Sequence, residues 1–308
     1  MTPTRQGSFH LFRFKGINVY LHWSWFLVAV YQISARSGTY STPVWMVLEY
    51  LALFLIVLMH EFGHALACRQ TGGTADQIVL WPLGGVAYVN PPQRAGATLW
   101  SIVGGPLVNI ALIPVLWGLI YLGRVNGWNQ SHHDFFLFLH MMALINKWLL
   151  IFNLMPVFPL DGGQILRSLL WFPLGRAKSL LVATTIGFMG GAVFIWMLFA
   201  NMQGATISQL IWPLALVGFL LMNCWSGFKH ALALQKLAKL PRHADFDCPS
   251  CHAAPPEGSY WGCSQCGKGF DIFAGRGVCP HCGAAHDMAV CVDCGVRSAI
   301  DSWRMPKL

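Results

Sequence analysis

The stretch VWMVLEYLALFLIVLMHEFGHALA, residues 44–67, decides the fold of this chain. It is almost wholly apolar and long enough to cross a hydrocarbon core, which takes about 20 residues of helix. Its last part carries the run His60-Glu61-Phe62-Gly63-His64. Ionisable side chains inside a membrane span are unfavourable unless they pair, bind or react. The stretch therefore predicts a membrane-spanning helix with a polar site near one end.

The composition extends this prediction to most of the chain. Of the 308 residues, 55% are hydrophobic and 10% are charged, whereas ordinary soluble domains have about 25% charged residues. We predict an all-α polytopic membrane protein embedded in a lipid bilayer, with about six transmembrane helices. The first span is expected to stay in the protein, because no small-residue cleavage site follows it. The predicted spans are Val19–Ala35, Val44–Ala67, Leu99–Leu122, Phe135–Leu154, Leu180–Ala200 and Ile207–Leu232.

The basic residues predict the orientation of these spans. The formal net charge is +8, but Lys and Arg are spread along the chain rather than gathered on one soluble face, which argues against nucleic acid as a partner. With the N-terminus in the cytosol, nearly all basic residues between the spans fall on the cytosolic side, as the positive-inside rule requires. We therefore expect a multi-pass protein of the plasma (inner) membrane of a prokaryote, with both termini cytosolic.

The pattern changes after Leu240, where the chain becomes polar and rich in Gly and Cys. We predict a transmembrane domain over residues 1–240 and a small cytosolic module over residues 241–308. Between the second and third spans, the segment Ile78–Val89 has branched and aromatic residues on both sides of Gly84-Gly85. This arrangement predicts a short β-hairpin beside the membrane.

The run at residues 60–64 has the spacing of a metal site. Two histidines four residues apart project from one face of a helix, where they can hold one ion. The intervening Glu61 can act as a base toward a water that the metal activates. A catalytic zinc keeps three protein ligands and one open position, and Asp161, just after the fourth span, is the best candidate for the third ligand. The alternative is that these are polar residues satisfied by neighbouring helices.

The C-terminal module repeats a Cys-x-x-Cys unit four times, which is typical of zinc ribbons. The order along the chain favours a first four-cysteine site from the first two units and a second site from the last two, although an interleaved arrangement also fits. A redox dithiol or an iron–sulfur cluster is the competing interpretation. Disulfides are not expected in the cytosol. The eight cysteines are Cys248, Cys251, Cys263, Cys266, Cys279, Cys282, Cys291 and Cys294.

Two motifs together resemble the site-2 protease family of intramembrane metalloproteases. They are the HExxH run and the downstream segment Asn153-Leu-Met-Pro-Val-Phe-Pro-Leu-Asp161-Gly162. The resemblance implies that His60, His64 and Asp161 bind zinc and that Glu61 is the general base. It also implies that Asn153 positions substrate or stabilises the oxyanion, and that the hairpin pairs with an unwound substrate strand. For Asn153, and for Asn146 one heptad earlier, an interhelical hydrogen bond worth about 1 kcal/mol is the alternative.

The sequence thus predicts an intramembrane zinc metalloprotease that cleaves transmembrane protein substrates, with one catalytic zinc and two structural zinc ions. The Gly104-Gly105-Pro106 segment is predicted to allow close helix packing rather than to line the site. A non-catalytic scaffold that binds substrate helices and a metal transporter are the alternatives. A scaffold could lose Glu61 without penalty, and a transporter would need a polar path through several spans. The cysteine module departs from better-known members of the family. We expect it to have a regulatory or recognitional role, with a protein partner, the substrate or nucleic acid as the candidate ligands.

Overall fold

The computed structural model describes residues 6–81, 84–200 and 207–303. The chain divides into two compact units, Met1–Lys229 and His230–Leu308. The first unit holds the helices and the larger sheet, and the second holds the cysteine-rich module. The division falls inside the last long helix, so the domain boundary at Leu240 stays a prediction.

Seven helices follow one another in the described chain, and four of them are long and apolar enough to cross a membrane: α2, α3, α5 and α6. They contain the predicted second to fifth spans, which confirms that part of the prediction. The predicted sixth span lies in α7, several of whose first side chains are outside the described residues. The helices are α1 (Trp25–Ala35), α2 (Pro43–Gln70), α3 (Ala95–Val125), α4 (Trp128–Ser131), α5 (His133–Leu154), α6 (Asp161–Ala200) and α7 (Ile207–Ala238).

The predicted first span, Val19–Ala35, is wrong as a single helix. Its first part is strand β2 (Ile17–His22), and only the 11 residues of α1 are helical. Ile17 and Val19 are fully buried, and the residue between them is not, which is the alternation of a strand with one covered face. An apolar run alone does not separate a buried strand from a helix. Two partner strands decide the outcome, one just before β2 in the chain and a parallel one more than fifty residues later.

These strands belong to a four-stranded sheet with the order β1–β2–β3–β4. Strand β1 (Ser8–Phe14) pairs antiparallel with β2, β2 pairs parallel with β3 (Thr74–Trp81), and β3 forms an antiparallel hairpin with β4 (Gly84–Asn90). The hairpin prediction is confirmed, while Pro82 and Leu83 of its predicted turn lie outside the described residues.

The sheet is fastened to the second half of α2. The buried side chains of β2 and β3, including Val19 and Ile78, pack with Val57 and Ala65 of the helix in one apolar cluster. The guanidinium group of Arg69, at the end of α2, donates to the carbonyl oxygen of Ala75 at 2.6 Å. The apolar contacts and the hydrogen bond of Arg69 together hold the hairpin beside the helix that carries the histidines.

A polar cluster near the start of α2 joins this helix to the connection that precedes it. Glu49 is 1% exposed, and its carboxylate accepts hydrogen bonds from Arg36 Nε at 2.9 Å and from the Tyr40 hydroxyl at 2.7 Å. A buried carboxylate is tolerated only when such partners compensate its lost hydration. The cluster therefore ties the connection between α1 and α2 to the bundle.

Helix α6 is broken by an elbow at Gly175, which adopts φ +76° and ψ 171°. Residues 161–174 form a first helical segment, which the sequence prediction did not include, and the predicted fifth span lies in the second segment. Pro173 precedes the break. The left-handed φ suits glycine, which lacks the Cβ that makes this region unfavourable for other residues.

The C-terminal unit is built from two small hairpins, β5 (Trp261–Gly262) with β6 (Gly269–Phe270) and β7 (Met288–Val290) with β8 (Arg297–Ala299). Phe270, Phe273 and Trp303 are at most 2% exposed and form its core with the cysteines. So small a core makes a limited contribution to stability, and metal bound by the cysteines would add to it.

Candidate active site and zinc sites

The first candidate zinc site lies between α2 and the start of α6. His60 Nε2 and His64 Nε2 are 3.1 Å apart, and Asp161 Oδ2 lies 3.0 Å from the first and 3.3 Å from the second. Tetrahedral zinc with bonds of about 2.0–2.1 Å places its ligand atoms about 3.3 Å apart. All three side chains are largely removed from solvent. The three residues therefore fit a zinc ion with one position left open.

The remaining nitrogen of each imidazole is held by helix α3. His60 Nδ1 lies 2.5 Å from Asn109 Oδ1, and His64 Nδ1 lies 3.0 Å from the carbonyl oxygen of Ser101. Because both partners are acceptors, each Nδ1 carries the proton and each Nε2 is left with a lone pair for a metal. Asn109 is itself bound to Asn146 of α5, with Nδ2 to Oδ1 at 2.8 Å.

Two glycines of α3 make room for this arrangement. A Cβ on Gly104 would lie 2.7 Å from the Cβ of Ala67, so this glycine permits the close packing of α3 against α2 that the sequence predicted. A Cβ on Gly105 would overlap the ring of His64 and lie 2.7 Å from His60 Nε2. Gly105 thus lines the site, contrary to the prediction that the whole segment serves packing.

Asp161 is placed by the tight connection between α5 and α6. The two glycines that follow it, Gly162 and Gly163, are buried against the backbone of this connection. A Cβ on Gly162 would lie 2.5 Å from the carbonyl oxygen of Met155, and one on Gly163 would lie 2.5 Å from the carbonyl carbon of Val157. Only glycine allows the connection to fold back this closely. The first residue of α6 is thereby carried to the two histidines.

Glu61 is 6% exposed and faces the hairpin rather than the lipid. Its Oε2 accepts the backbone N–H of Ala87 in strand β4 at 2.9 Å. A Cβ on Gly85, two residues earlier, would lie 2.6 Å from Glu61 Oε1. The hairpin therefore crosses directly beside the carboxylate and orients it through Oε2.

Asn153 takes part in none of the hydrogen bonds that join this group. It is half-buried on the last turn of α5, and no hydrogen bond of its side chain occurs with any residue in the described ranges. Its catalytic role stays a prediction. Asn146 makes the interhelical hydrogen bond that the sequence offered as an alternative. The sequence prediction did not include Asn109, Ser101 or Ala87. Ser101 and Ala87 act through backbone atoms, and Asn109 lies on a different helix from the histidines.

The C-terminal cysteines form two clusters with the spacing of zinc thiolates. The Sγ atoms of Cys248 and Cys294 are 3.7 Å apart, and those of Cys263 and Cys282 are 3.6 Å apart. Zinc bonds to sulfur of about 2.3 Å place tetrahedral sulfur atoms about 3.8 Å apart, whereas a disulfide requires about 2.0 Å. All eight residues are free thiols and fit two closed four-cysteine sites.

The grouping of these cysteines corrects the order favoured from the sequence. The first and last units share one cluster, Cys248, Cys251, Cys291 and Cys294, and the two middle units share the other, Cys263, Cys266, Cys279 and Cys282. Contacts distant in sequence bring the ends of the module together. Arg242 and Asp293 form an ion pair at 2.7 Å, and Asp247 N donates to the carbonyl oxygen of Trp303 at 2.8 Å. The middle cluster is thus nested between the two units of the outer one, so the structure contains neither the sequential nor an interleaved arrangement.

A partly buried aspartate helps to hold the same unit together. Asp271 accepts the N–H groups of Gly258, Phe273 and Ala274 and contacts the ring of His243. Burial alone would raise the pKa of this carboxyl group, but the hydrogen bonds outweigh burial and hold its pKa below the ordinary value. Asp271 therefore stays ionised and anchors the loop that carries Phe273.

We expect Gly105→Ala to remove the zinc of the membrane unit. The added Cβ overlaps both imidazoles, so zinc content measured by elemental mass spectrometry should fall by about one ion per chain while the cysteine sites remain filled. Gly118→Ala is the matched control, because this glycine lies on the same helix with no atom within 4 Å of its added Cβ. Equal zinc content in the two variants would refute the role given to Gly105.

Asn109→Ala should weaken zinc binding at the same site by roughly 10- to 100-fold, since the loss of an orienting partner frees the His60 ring. Competition with a graded series of chelators measures the affinity. Asn153→Ala should keep the affinity of the parent chain. A similar loss in both variants would mean that the polar residues of α5 and α3 act on the site only through general stability.

The cysteine grouping can be tested with two double variants. Cys251→Ser with Cys291→Ser damages a single cluster and should release about one zinc ion per chain. Cys251→Ser with Cys263→Ser damages both clusters and should release about two. Zinc counting by elemental analysis separates the cases. The reverse result would restore the order favoured from the sequence.

Comparisons with known proteins agree with this geometry. The chain matches the sequence profile of peptidase family M50 over residues 49–130 and 125–198. It is 33% identical to zinc metalloprotease MJ0392 of Methanocaldococcus jannaschii over 184 residues, which are 58% of this chain and 50% of that protein. It is also 33% identical to stage IV sporulation protein FB of Bacillus subtilis over 144 residues, 45% of this chain and 46% of that protein.

The chain therefore spans about half the length of these two relatives. Among solved structures, the site-2 protease from Methanocaldococcus jannaschii superposes with a TM-score of 0.50 and 27% sequence identity. The match covers 72% of this chain and 95% of that one. The residues that the family profile matches include His60, Glu61, His64 and Asp161. Through its membrane unit, the chain belongs to peptidase family M50, the family of the site-2 proteases.

Proposed function

We propose that this chain is an intramembrane zinc metalloprotease that hydrolyses peptide bonds of transmembrane proteins. The observation that carries the proposal is the meeting of three ligand atoms, 3.0–3.3 Å apart, beside the carboxylate of Glu61 within a bundle of membrane-spanning helices. Such a group of ionisable residues is unfavourable within a membrane unless it has a function. The named relatives, a zinc metalloprotease and a site-2 protease, support the same activity.

His60, His64 and Asp161 would hold the zinc ion, with the two imidazoles kept in the required tautomer by Asn109 and Ser101. Zinc bound at such a site supplies a water with a pKa near 7 and polarises a carbonyl group. Glu61 accepts the proton of the attacking water at Oε1, because Oε2 is engaged by the N–H of Ala87. The same carboxylate then delivers the proton to the leaving amine.

The substrate would reach Glu61 as an unwound segment. A helix hides its peptide bonds in its own hydrogen bonds, and unwinding in lipid leaves those groups unpaired unless protein receives them. Strand β4 is an edge strand of the sheet, and it runs beside Glu61. We propose that its outer edge pairs with the substrate backbone, as peptides add to exposed sheet edges elsewhere. Asn153 would position the substrate or stabilise the oxyanion.

The distribution of basic residues indicates on which side of the membrane the site lies. Basic residues near the ends of the spans support a topology in which the N-terminus, the cysteine module and the zinc side of the bundle face the cytosol. The named relatives come from an archaeon and a bacterium, which supports the inner membrane of a prokaryote. The module of residues 241–308 would hold two structural zinc ions and bind a protein partner or substrate.

The activity is tested with Glu61→Gln. Purified chains are reconstituted in liposomes with a panel of tagged single-span membrane proteins, and cleavage is followed by gel analysis. Glu61→Gln should lose cleavage by a factor of about 100 or more, because a general base contributes that much, while zinc content stays unchanged. Glu257→Gln, an exposed position in the other unit, should cleave like the parent chain.

Two other outcomes would replace the proposal. If parent and Glu61→Gln chains bind the tagged spans equally and neither cleaves them, the chain is a scaffold that holds transmembrane helices. If zinc added outside the liposomes accumulates inside them, and Glu61→Gln abolishes this uptake, the chain is a metal transporter.

A further inference from the structure

The elbow of α6 gathers two arginines around one tryptophan. The guanidinium carbon of Arg167 lies 5.8 Å from the ring centre of Trp171, and that of Arg176 lies 5.9 Å from it. Both distances fall within the range of cation–π attraction. We call Arg167, Trp171 and Arg176 the elbow cluster. It lies outside the metal site and has no part in the mechanism proposed above.

The break at Gly175 creates this cluster. Arg167 and Trp171 are four residues apart and share a face of the first segment, as helix geometry requires. Trp171 and Arg176 are five residues apart, and in an unbroken helix their side chains would project about 140° apart. The φ of +76° at Gly175 turns the chain so that Arg176 returns to the same ring. Two like charges are thus brought to one indole by the backbone itself.

The sequence around the elbow cluster is poor in acidic residues. No acidic residue occurs between Asp161 and Asp245. Within the described ranges, no carboxylate oxygen forms an ion pair with Arg167, and its Nε is shielded from solvent without a hydrogen bond. A shielded guanidinium donor without a protein acceptor is unfavourable, and an anion with several acceptor oxygens would satisfy it.

Apolar side chains on the same segment point to the source of that anion. Leu169, Phe172 and Leu174 are 50%, 65% and 41% exposed. An amphipathic segment with exposed apolar residues, arginines and a tryptophan is typical of the membrane–water boundary. At that depth the available anions are lipid headgroups, and the acyl chains below them would cover the apolar residues.

We propose that the elbow cluster binds the phosphate of an anionic phospholipid, with Arg167 and Arg176 donating to its oxygens and Trp171 lying beside the glycerol. Arginine suits this task because its planar fork donates two hydrogen bonds to one phosphate. An anionic headgroup is preferred over a zwitterionic one because it brings no cation of its own to the two guanidinium groups. The proposal requires only that the chain lies in the membrane and does not depend on proteolysis.

The test uses the full chain purified in a neutral detergent. Phosphatidylglycerol or phosphatidylcholine with the same acyl chains is added, and native mass spectrometry counts the bound lipid. The parent chain should retain phosphatidylglycerol in preference to phosphatidylcholine. Arg167→Gln with Arg176→Gln should reduce this retention about tenfold or more. Lys229→Gln is the control, because Lys229 also lies over a tryptophan, at 5.7 Å from the ring of Trp225.

A second variant separates binding from folding. Arg167→Lys with Arg176→Lys keeps both charges but removes the planar forks, so it should keep the melting temperature and still lose several-fold in lipid retention. An equal loss in Lys229→Gln would show that only general surface charge is at work. Displacement of the lipid by inorganic phosphate at equal concentration would assign the cluster to a free anion. Unchanged retention in both double variants would overturn the proposal.

Discussion

The membrane unit depends on the close approach of two helix backbones, α2 and α3, at Gly63 and Gly104. The carbonyl oxygen of each glycine lies where a Cβ on the other would have to go. Such contacts are the usual basis of helix association in lipid, where no hydrophobic difference drives packing and van der Waals contact must do so. Larger residues here would separate the helices and remove α3 from the histidines.

This closeness has a chemical consequence as well as a structural one. Because α3 runs next to the histidine face of α2, it can bring Asn109 and the carbonyl of Ser101 to the two Nδ1 atoms and leave Gly105 opposite the two Nε2 atoms. Helix α3 therefore orients both imidazole rings and, because Gly105 has no side chain, does not overlap their Nε2 atoms. The hairpin completes the site from another direction, with Ala87 holding Glu61.

The C-terminal unit is stabilised in a different way. It has few apolar residues to bury, and its two cysteine clusters cross-link segments that are distant in sequence. The cluster of Cys248, Cys251, Cys291 and Cys294 joins the first and the last Cys-x-x-Cys unit, so metal binding there would close the loop of residues 248–294. Closing a long loop in this way removes much of the conformational freedom of the unfolded chain.

The sequence by itself determined the features that depend on residues close together in the chain. The length of residues 44–67 and of three further apolar runs identified membrane spans, and the spacing of His60, Glu61 and His64 identified a metal site on one helix face. The Gly-Gly pair predicted the hairpin, and the four Cys-x-x-Cys units predicted two zinc sites. Each of these depends only on helix or strand geometry and on the chemistry of neighbouring residues.

Only the tertiary structure decided the rest. Residues 17–22 became a strand because β3, more than fifty residues later, offers a parallel partner. The cysteines were grouped by the contacts of Arg242 and Asp247 with the end of the module, and the two arginines met over Trp171 because of a single backbone angle at Gly175. Asn109 and Ala87 gained their roles through helices and strands that meet only after folding. These outcomes depend on which distant segments come together, and no local pattern encodes that choice.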